Sequence, residues 1–372
     1  MIEALKMDFD VTLITGGPVD LARLNAYYGT SLSPEDFQIL QAPMPFGLGR
    51  TAQFAALRGA FFQRYLRRVG PRYDAMISAY NVCDFGAPGI QFIADFSFMD
   101  EWRNKLHPAL ATQKRWWYGD SILRRAYLGL CGLISPVDRE AWKRNVTVAN
   151  SDWSVELMRR EFGIESRVLY SPGAIEFSPV SWENRENGFV CVGRVVPEKR
   201  MDAVIRILDA VREAGHDVHL HILGGLEDSP FGAKLRELAA PRKWVSLEGR
   251  TFGRKKGDLI AGHRFGINGC ETDNMPNAVA EMVKAGCIAF VPNGGGQTEI
   301  VNHPMLSFED EADAAQKICT VLSSRTLQDK LRQHLGEQAA KFSVENFQAG
   351  FRNVVFEVLS KKLVSSRTSV LH

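Results

Sequence analysis

The feature that most constrains this chain is the alternation of short apolar runs with amphipathic helical segments along its 372 residues. In the second half, the apolar run 189–195 precedes a helical pattern over 201–215, and another apolar run, 218–225, follows it. Four residues of the helical pattern share one face of the helix: Val204, Ile207, Leu208 and Val211. Buried strands that alternate with helices are typical of βαβ units. The sequence therefore predicts an α/β protein built from doubly wound parallel sheets.

The length of the chain indicates two domains of similar size, because one domain usually has about 100–200 residues. The polar stretch 178–188 is the best candidate for a linker. The chain opens within a helical pattern, whereas a parallel domain begins with a strand, so we expect the N-terminal domain to lack its first strand. The predicted parts are an N-terminal domain (1–177), a C-terminal domain (178–345) and a C-terminal helix that packs back toward the N-terminal domain and ends in a flexible tail (346–372).

Composition excludes several classes of protein. Lys+Arg 45 against Asp+Glu 43 leaves a formal charge of +2, so the chain has no overall field for nucleic acid. The six cysteines are scattered without a C-x-x-C pair, which fits a reducing compartment better than a disulfide framework. No apolar run approaches the roughly 20 residues of a membrane helix, and the first residues do not resemble a secretory signal. We therefore expect a cytoplasmic protein that does not bind nucleic acid.

The first chemical motif lies where a predicted strand ends. Gly193 and Arg194 follow the strand, and four residues separate Arg194 from Lys199. Two cations at the carboxyl end of a parallel strand form an anion site, and a planar fork together with a point charge suits a diphosphate. The alternative is a pair of surface cations in a polar turn. The motif alone leaves both open.

The second motif is a pair of carboxylates around the start of a helix. Asp273 is predicted to lie in the loop before the helix, and Glu281 just over one turn inside it. Carboxylates so spaced can hold hydroxyl groups along an elongated ligand. Glu271 competes with Asp273 for this role. The alternative is a capping acid followed by a solvated helix glutamate.

The third motif is the glycine triplet Gly294, Gly295 and Gly296, which follows a predicted strand and precedes a helix-like segment. Glycines at such a place let backbone N–H groups approach a ligand closely. The alternative is an ordinary turn between a strand and a helix.

Taken in order, the three motifs resemble the family 4 retaining glycosyltransferases of the two-domain GT-B fold. In that family, GR-x4-K opens the donor domain, and E-x7-E followed by a Gly-Gly-x-x-E-I-V loop closes it. Here the first two motifs read Gly193-Arg194 with Lys199, and Asp273 with Glu281. The resemblance implies two Rossmann-like domains that face a cleft.

Longer segments resemble one branch of the family, which contains the dolichol-linked alpha-1,2-mannosyltransferases. These segments are FGINGCETD, AVAEMVKAG and VPNGGGQTEIV. Further matches at 89–93 and 149–153 extend the resemblance over nearly the whole chain.

The resemblance implies a role for each matching residue. Arg194 and Lys199 would neutralise the diphosphate of a nucleotide sugar as it leaves. Glu281 would hold the ribose hydroxyls, and Asp273, which stands where the family has Glu, would contact the donor sugar. These four are the predicted catalytic residues. The other predicted donor-binding residues are Gly193, Met275, Pro276, Asn277, Gly294, Gly295, Gly296, Gln297 and Thr298.

Two more acids are candidate contacts of the donor sugar. After the strand 89–93 the branch usually carries a His, and this chain has Ala94 and Asp95 instead. Asp95 either replaces that contact or is an acid at the edge of the core without a role. Glu271 is the second candidate.

The resemblance implies no metal and no cofactor, only a GDP- or UDP-linked sugar as substrate, because cationic side chains and a helix N-terminus supply the positive charge. His219 and His221 alternate with apolar residues and share one face of a predicted strand. We interpret them as histidines satisfied within the strand rather than as metal ligands.

Two basic aromatic segments, 51–72 and 113–130, are candidates for a membrane-facing surface. The first carries five arginines and no acid, and the second places Trp116 and Trp117 among Lys and Arg. Such segments suit an anionic membrane surface. The equal alternative is a pair of ordinary helices with their arginines in water.

Together these features predict a cytoplasmic or peripheral-membrane retaining glycosyltransferase. It would move a hexose, with mannose favoured, from a nucleotide diphosphate sugar to a glycan or lipid-linked acceptor. Two alternatives stay open. One is a catalytically impaired GT-B protein that acts as a partner or scaffold, and the other is a different sugar-nucleotide enzyme of this fold, such as an epimerase.

Overall fold

A computed structural model describes residues 1–51, 53–96, 102, 105–106, 122–226 and 229–369. Its contacts divide the chain into two compact units. Unit 1 comprises Met1–Asn25, Thr30–Leu169 and Gln348–His372, and unit 2 comprises Ala26–Gly29 and Tyr170–Phe347.

The described strands of unit 1 are β1 Thr12–Thr15, β2 Gln38–Gln41, β3 Ile77–Ser78, β4 Ile90–Ile93, β5 Val146–Ala149 and β6 Ser166–Val168. They form two parallel sheets, one that pairs β1 with β2 and one with the order β3-β4-β5-β6. The described helices that begin in the first half are α1 Ile2–Leu5, α2 Leu21–Tyr28, α3 Ala55–Val69, α4 Ile122–Ile134, α5 Arg139–Lys143 and α6 Asp152–Phe162. The parallel pairing confirms the predicted α/β class.

A cavity of 2480 Å³ lies within unit 1 against both of its sheets. Its lining includes β1, β3, one face of α3 and residues Val355 and Leu359. Among the described residues, β1 and β3 each pair with one strand only, so each has an open edge.

Helix α3 falls within the predicted membrane-facing segment 51–72. Leu66 and Val69 are buried, and Arg67 donates from Nε to Oδ2 of Asp84 at 2.5 Å. Helix α4 covers the end of the second segment. Residues 113–121, with Trp116 and Trp117, lie outside the described residues. In the described part of the chain, no helix has both the length and the apolar content that crossing a bilayer requires.

Unit 2 contains one continuous parallel sheet with the order β12-β11-β10-β7-β8-β9. The strands are β7 Glu186–Val192, β8 His219–Leu223, β9 Val245–Gly249, β10 His263–Ile267, β11 Ile288–Pro292 and β12 Ser307–Phe308. The helices are α7 Met201–Glu213, α8 Pro230–Ala239, α9 Gly253–Ala261, α10 Asn277–Lys284, α11 Gln297–Val301, α12 Glu311–Leu322 and α13 Arg325–Ala339. A long helix, α14 Val344–Ser369, then carries the chain into unit 1.

The predicted amphipathic face of α7 is confirmed. Its four apolar residues are buried and belong to a core that also holds the central strands. Within that core, the ring of Phe189 on β7 stacks on Phe265 of β10, with centroids 5.0 Å apart.

The prediction of a linker over 178–188 is wrong. Trp182 is 3% exposed and packs edge-on against Phe265, and Glu186 already begins β7. One large apolar side chain anchors this otherwise polar segment, because the free energy of burying a tryptophan outweighs the polarity of its neighbours.

Unit 2 begins at Tyr170 rather than at residue 178. The Tyr170 ring lies 5.2 Å from that of Phe342, and the N–H of Gly173 donates to the carbonyl of Phe342 at 3.0 Å. These contacts join the segment after β6 to the end of the same unit.

Candidate functional site

The cationic motif lies where β7 ends and the chain turns toward α7. Gly193 follows the last residue of β7, and Lys199 ends a short 3-10 helix. The Arg194 side chain is 79% exposed, with Nη2 3.9 Å from Oε1 of Glu198. A cation this exposed, at the carboxyl end of a parallel strand, is accessible to an anionic ligand.

The ammonium of Lys199 links the first motif to the second. Its Nζ lies 2.5 Å from Oδ2 of Asp273, and the two side chains are 21% and 18% exposed. Burial alone would lower the pKa of Lys199, but the carboxylate of Asp273 outweighs it and raises the pKa above its ordinary value. Lys199 is therefore charged at neutral pH, and a bound phosphate would share this charge with Asp273.

Arg200, a residue without a predicted role, holds the other candidate acid of this loop. Its backbone has a left-handed φ of 44°, and its guanidinium binds both Glu271 and Glu311. Glu271 is exposed and already paired with an arginine. The only signal in the sequence is that Arg200 directly follows Lys199.

The glycine loop packs against the backbone of the loop that carries Asp273. Asp273 and Gly295 form a parallel bridge, in which the N–H of Gly296 donates to the Asp273 carbonyl at 2.9 Å. A Cβ on Gly295 would overlap that carbonyl oxygen, and one on Gly294 would overlap the carbonyl oxygen of Glu271. The glycines therefore allow a contact between two loops that holds Asp273 in place.

Gln297, which is predicted to bind the donor, has a wholly buried side chain. Its Oε1 accepts from Nδ2 of Asn268 at 2.6 Å, and its Nε2 donates to backbone carbonyls at 2.8 and 2.9 Å. These hydrogen bonds fix the side chain next to the glycine loop, and it does not reach solvent. Thr298 is half-buried, and its hydroxyl donates to the carbonyl of Gly295 at 3.0 Å.

Glu281 forms a separate ion pair on α10. Its Oε1 accepts from Nζ of Lys256 at 2.7 Å, and the residue is 8% exposed. Burial raises the pKa of Glu281, and the charge of Lys256 opposes this shift. Met275 and Pro276, before the helix, are buried, whereas Asn277 is exposed. A ligand hydroxyl that donates to Glu281 would therefore bind a carboxylate that is already paired with the ammonium of Lys256.

Asp95 lies in unit 1, just after β4. Its Oδ2 accepts a hydrogen bond from the hydroxyl of Tyr80 at 2.6 Å. This bond gives the residue a structural partner within its own unit.

The structure thus brings the first and third motifs together around Asp273. Arg194, which is exposed, and Lys199, which forms an ion pair with Asp273, lie at the carboxyl edge of a parallel sheet, beside the glycine loop. Such an arrangement can bind a diphosphate through the cations and accept hydroxyl groups at the carboxylate.

The histidines of β8 lie at the other end of this sheet. His219 and His221 share a face as predicted, with ring centroids 5.3 Å apart. Nδ1 of His221 lies 2.7 Å from Oε1 of Glu248, and Nε2 of His219 lies 3.1 Å from Oε2 of Glu186.

Residues 186–324 match the family described as "Glycosyl transferases group 1". A curated relative from Candida glabrata, GDP-Man:Man(3)GlcNAc(2)-PP-Dol alpha-1,2-mannosyltransferase, is 27% identical over 192 residues, which cover 46% of this chain and 36% of the relative. The match thus spans about a third of the length of that relative.

Several solved structures share the fold. Sucrose-phosphate synthase from Thermosynechococcus elongatus has a TM-score of 0.67 at 13% identity, covering 96% of this chain and 92% of that one. Anabaena HepE in complex with UDP has a TM-score of 0.64 at 13% identity, covering 96% and 94%. WaaG, a glycosyltransferase involved in lipopolysaccharide biosynthesis, has a TM-score of 0.63 at 14% identity, covering 95% and 92%. The chain therefore has the GT-B fold, and its residues 186–324 match the group 1 glycosyltransferase family.

Proposed function

We propose that the protein is a retaining hexosyltransferase whose donor is a nucleotide diphosphate sugar. The observation that carries this proposal is the placement of Arg194 and Lys199 at the carboxyl end of β7, with Lys199 held by Asp273. Negative charge develops on the diphosphate as the glycosidic bond breaks, and two fixed cations stabilise that charge. The group 1 family match covers these same residues.

In the proposed reaction, the bond from the anomeric carbon to the diphosphate oxygen breaks while a bond to the acceptor oxygen forms on the same face. The proton of the acceptor hydroxyl passes to the leaving phosphate oxygen, so the anomeric configuration is retained. Arg194 and Lys199 receive the charge of the leaving group, and Asp273 orients Lys199 and accepts from a sugar hydroxyl. Glu281 holds the ribose, with Lys256 as its counter-ion. Since the cations supply the positive charge, the proposal includes no catalytic metal.

GDP-mannose is the donor that we favour. The Candida glabrata relative uses it by name, and its similarity to this chain supports the same donor here. UDP, which is bound in the Anabaena HepE structure, is the competing nucleotide.

The acceptor in this proposal is a glycan, linked to a lipid if the protein works at a membrane. Helix α4 supports the second version, because it exposes four large apolar side chains: Ile122, Leu123, Leu130 and Leu133. Arginines Arg64 and Arg68 of α3 are exposed in the same unit. Exposed apolar side chains with nearby cations suit the surface of an anionic membrane at the cytosolic face.

Calorimetry with GDP and UDP tests the proposed donor. We expect the protein to bind one of the two, GDP more tightly, and Arg194→Ala to weaken this binding by at least tenfold. The matched control is Arg236→Ala, which removes an exposed arginine from α8. If neither nucleotide binds to the folded protein, the transferase proposal fails and the scaffold alternative takes its place.

Flotation with liposomes tests the membrane version separately. Binding to vesicles with anionic lipid should fall when Leu130 and Leu133 are both replaced by Gln, and binding to neutral vesicles should be weak throughout. Equal flotation of the variant and the original protein would reject α4 as the contact surface, while nucleotide binding would remain unaffected.

A further inference from the structure

Three histidines and a glutamate meet at the amino edge of the sheet of unit 2. Glu186, His219 and His263 begin the neighbouring strands β7, β8 and β10, and His221 follows two residues later on β8. One potential ligand atom from each of the four residues lies within 4.8 Å of the others. The cationic motif follows the opposite, carboxyl end of β7, so the cluster is separate from the proposed donor site.

Two of the rings are oriented by contacts through Nδ1. His263 Nδ1 lies 2.7 Å from the carbonyl oxygen of Leu259, and His221 Nδ1 lies 2.7 Å from Oε1 of Glu248. A proton on Nδ1 satisfies each of these acceptors and leaves the lone pair on Nε2. Metal-bound histidines are commonly held in this way by a carbonyl or a carboxylate.

The Nε2 atom of His263 is buried and has no hydrogen-bond partner among the described residues. His263 is 2% exposed. Nε2 of His219 lies 3.1 Å from Oε2 of Glu186, and Nε2 of His263 lies 3.9 Å from the same oxygen. A buried polar nitrogen without a partner is costly, and a bound cation would remove that cost.

Gly188 provides the space for this arrangement. It is the register partner of His219 in the β7–β8 pair, and a Cβ at this position would overlap the His219 imidazole. The glycine lets the ring lie over β7 and turn toward the other three side chains.

We propose that Glu186, His219, His221 and His263 form a binding site for one Zn²⁺ ion. Three imidazole nitrogens and one carboxylate oxygen are a donor set that zinc accepts in tetrahedral geometry. Bonds of about 2.0–2.1 Å to zinc place the ligand atoms about 3.3 Å apart, so the cluster contracts slightly when the ion binds.

The ion would join the first residues of three strands and thereby stabilise the sheet. Because the Glu186 side chain is 60% exposed, the ion can enter from solvent on that side. Four protein ligands leave no open position, which makes the role of this site structural rather than catalytic.

Metal titration of the full-length chain without a polyhistidine tag tests the proposal. After treatment with a chelator and removal of the chelator, we expect the protein to bind one Zn²⁺ per chain and to unfold at a higher temperature with zinc than without it. Co²⁺ at the same site should give the intense visible absorption of tetrahedral cobalt.

Three variants make the test specific. Glu186→Gln, at an exposed side chain, and His221→Gln should each weaken zinc binding by at least tenfold and remove the rise in unfolding temperature. His303→Gln is the control, because His303 lies beside His334 in the same unit and outside the cluster. Absence of stoichiometric zinc binding, or equal affinity in Glu186→Gln and the original protein, would overturn the proposal. Nucleotide binding is measured separately, so the failure of one proposal leaves the other standing.

Discussion

The two units pack their sheets differently. In unit 2, six strands form one sheet, and the rings of Phe189, Phe265 and Phe290 at its centre are at most 1% exposed. In the described part of unit 1, the strands are divided between two sheets, and a cavity of 2480 Å³ lies against β1 and β3, each of which pairs with one described strand. Protein interiors are normally as dense as organic crystals, so unit 1 forgoes apolar contacts that unit 2 makes.

Because of this difference in packing, unit 2 is better suited than unit 1 to hold reacting groups in a fixed geometry. The loop that carries Asp273 is bridged to the glycine loop, and the buried amide of Gln297 donates hydrogen bonds to backbone carbonyls next to both loops. A catalytic group needs such rigid support to hold its geometry. Unit 1 instead offers apolar surface, both inside its cavity and on the outer face of α4.

The largest effect is expected from Lys199→Ala in unit 2. Removal of a cation that stabilises a leaving group costs about 10²–10³-fold in turnover. We expect sugar transfer, measured with labelled GDP-mannose or the UDP-sugar that binds, to fall by that factor. The thermal unfolding of the variant is measured alongside, because Asp273 loses its partner.

Lys234→Ala is the control for this prediction. Lys234 also pairs with a carboxylate of unit 2, that of Asp202 at 2.7 Å, but it is 60% exposed and lies on α8. Transfer by this control should remain within twofold of the original. A Lys199→Ala protein that is folded and fully active would remove Lys199 from the mechanism.

The next prediction compares one leucine in each core. Leu208 is fully buried in unit 2, so Leu208→Ala should cost about 3–5 kcal/mol of unfolding free energy. Leu66 lines the cavity of unit 1, where truncation only enlarges an existing space, so Leu66→Ala should cost about 2 kcal/mol. Hydrogen exchange read by mass spectrometry gives the cost for each unit separately. Equal costs would show that the cavity of unit 1 is closed in solution.

A pair of glycines gives a smaller contrast. Gly295 in unit 2 has φ +72°, and an added Cβ would overlap the carbonyl oxygen of Asp273, so Gly295→Ala should cost about 3 kcal/mol. Gly47 in unit 1 has φ +69° with open space around it, so Gly47→Ala should cost about 1 kcal/mol, from the backbone alone. Urea unfolding measures both. A cost at Gly295 no larger than that at Gly47 would contradict the contact between the two loops.

The sequence predicted the parts of the fold that repeat a local pattern. The helix α7, the strands around it and the order of the three motifs follow from periodicity and spacing. The linker prediction failed because average polarity concealed Trp182, whose burial depends on Phe265 about eighty positions later.

The candidate site shows the same limit. Asp273 and Lys199 were predicted individually, but their ion pair depends on how two strand ends approach each other. In the sequence, Lys256 is one of several neighbouring cations, and only the packing of α9 shows that it pairs with Glu281. Local spacing also does not show that Asn268 and two backbone carbonyls use the side-chain amide of Gln297.

The smallest predicted effect is a difference in the sign of the acid response of the two units. In unit 1, hydrogen bonds and ion pairs with Lys361 and Arg167 lower the pKa of Glu357 to about 2. The unfolded chain then binds this proton more readily, so stability from this group is present above the ordinary pKa of 4.5 and is lost as pH falls toward 2.

In unit 2, burial raises the pKa of Glu281, so the folded state holds the proton more tightly and the group costs stability as pH rises above 4.5. Glu357→Gln should therefore reduce the stability that unit 1 loses as the pH falls, and Glu281→Gln should stabilise unit 2 more at pH 7 than at pH 4. Hydrogen exchange of each unit between pH 4 and pH 7 checks both signs. If Glu281→Gln instead lowers the stability of unit 2 relative to the original protein, and does so more at pH 7 than at pH 4, the ion pair with Lys256 outweighs the burial of the carboxylate.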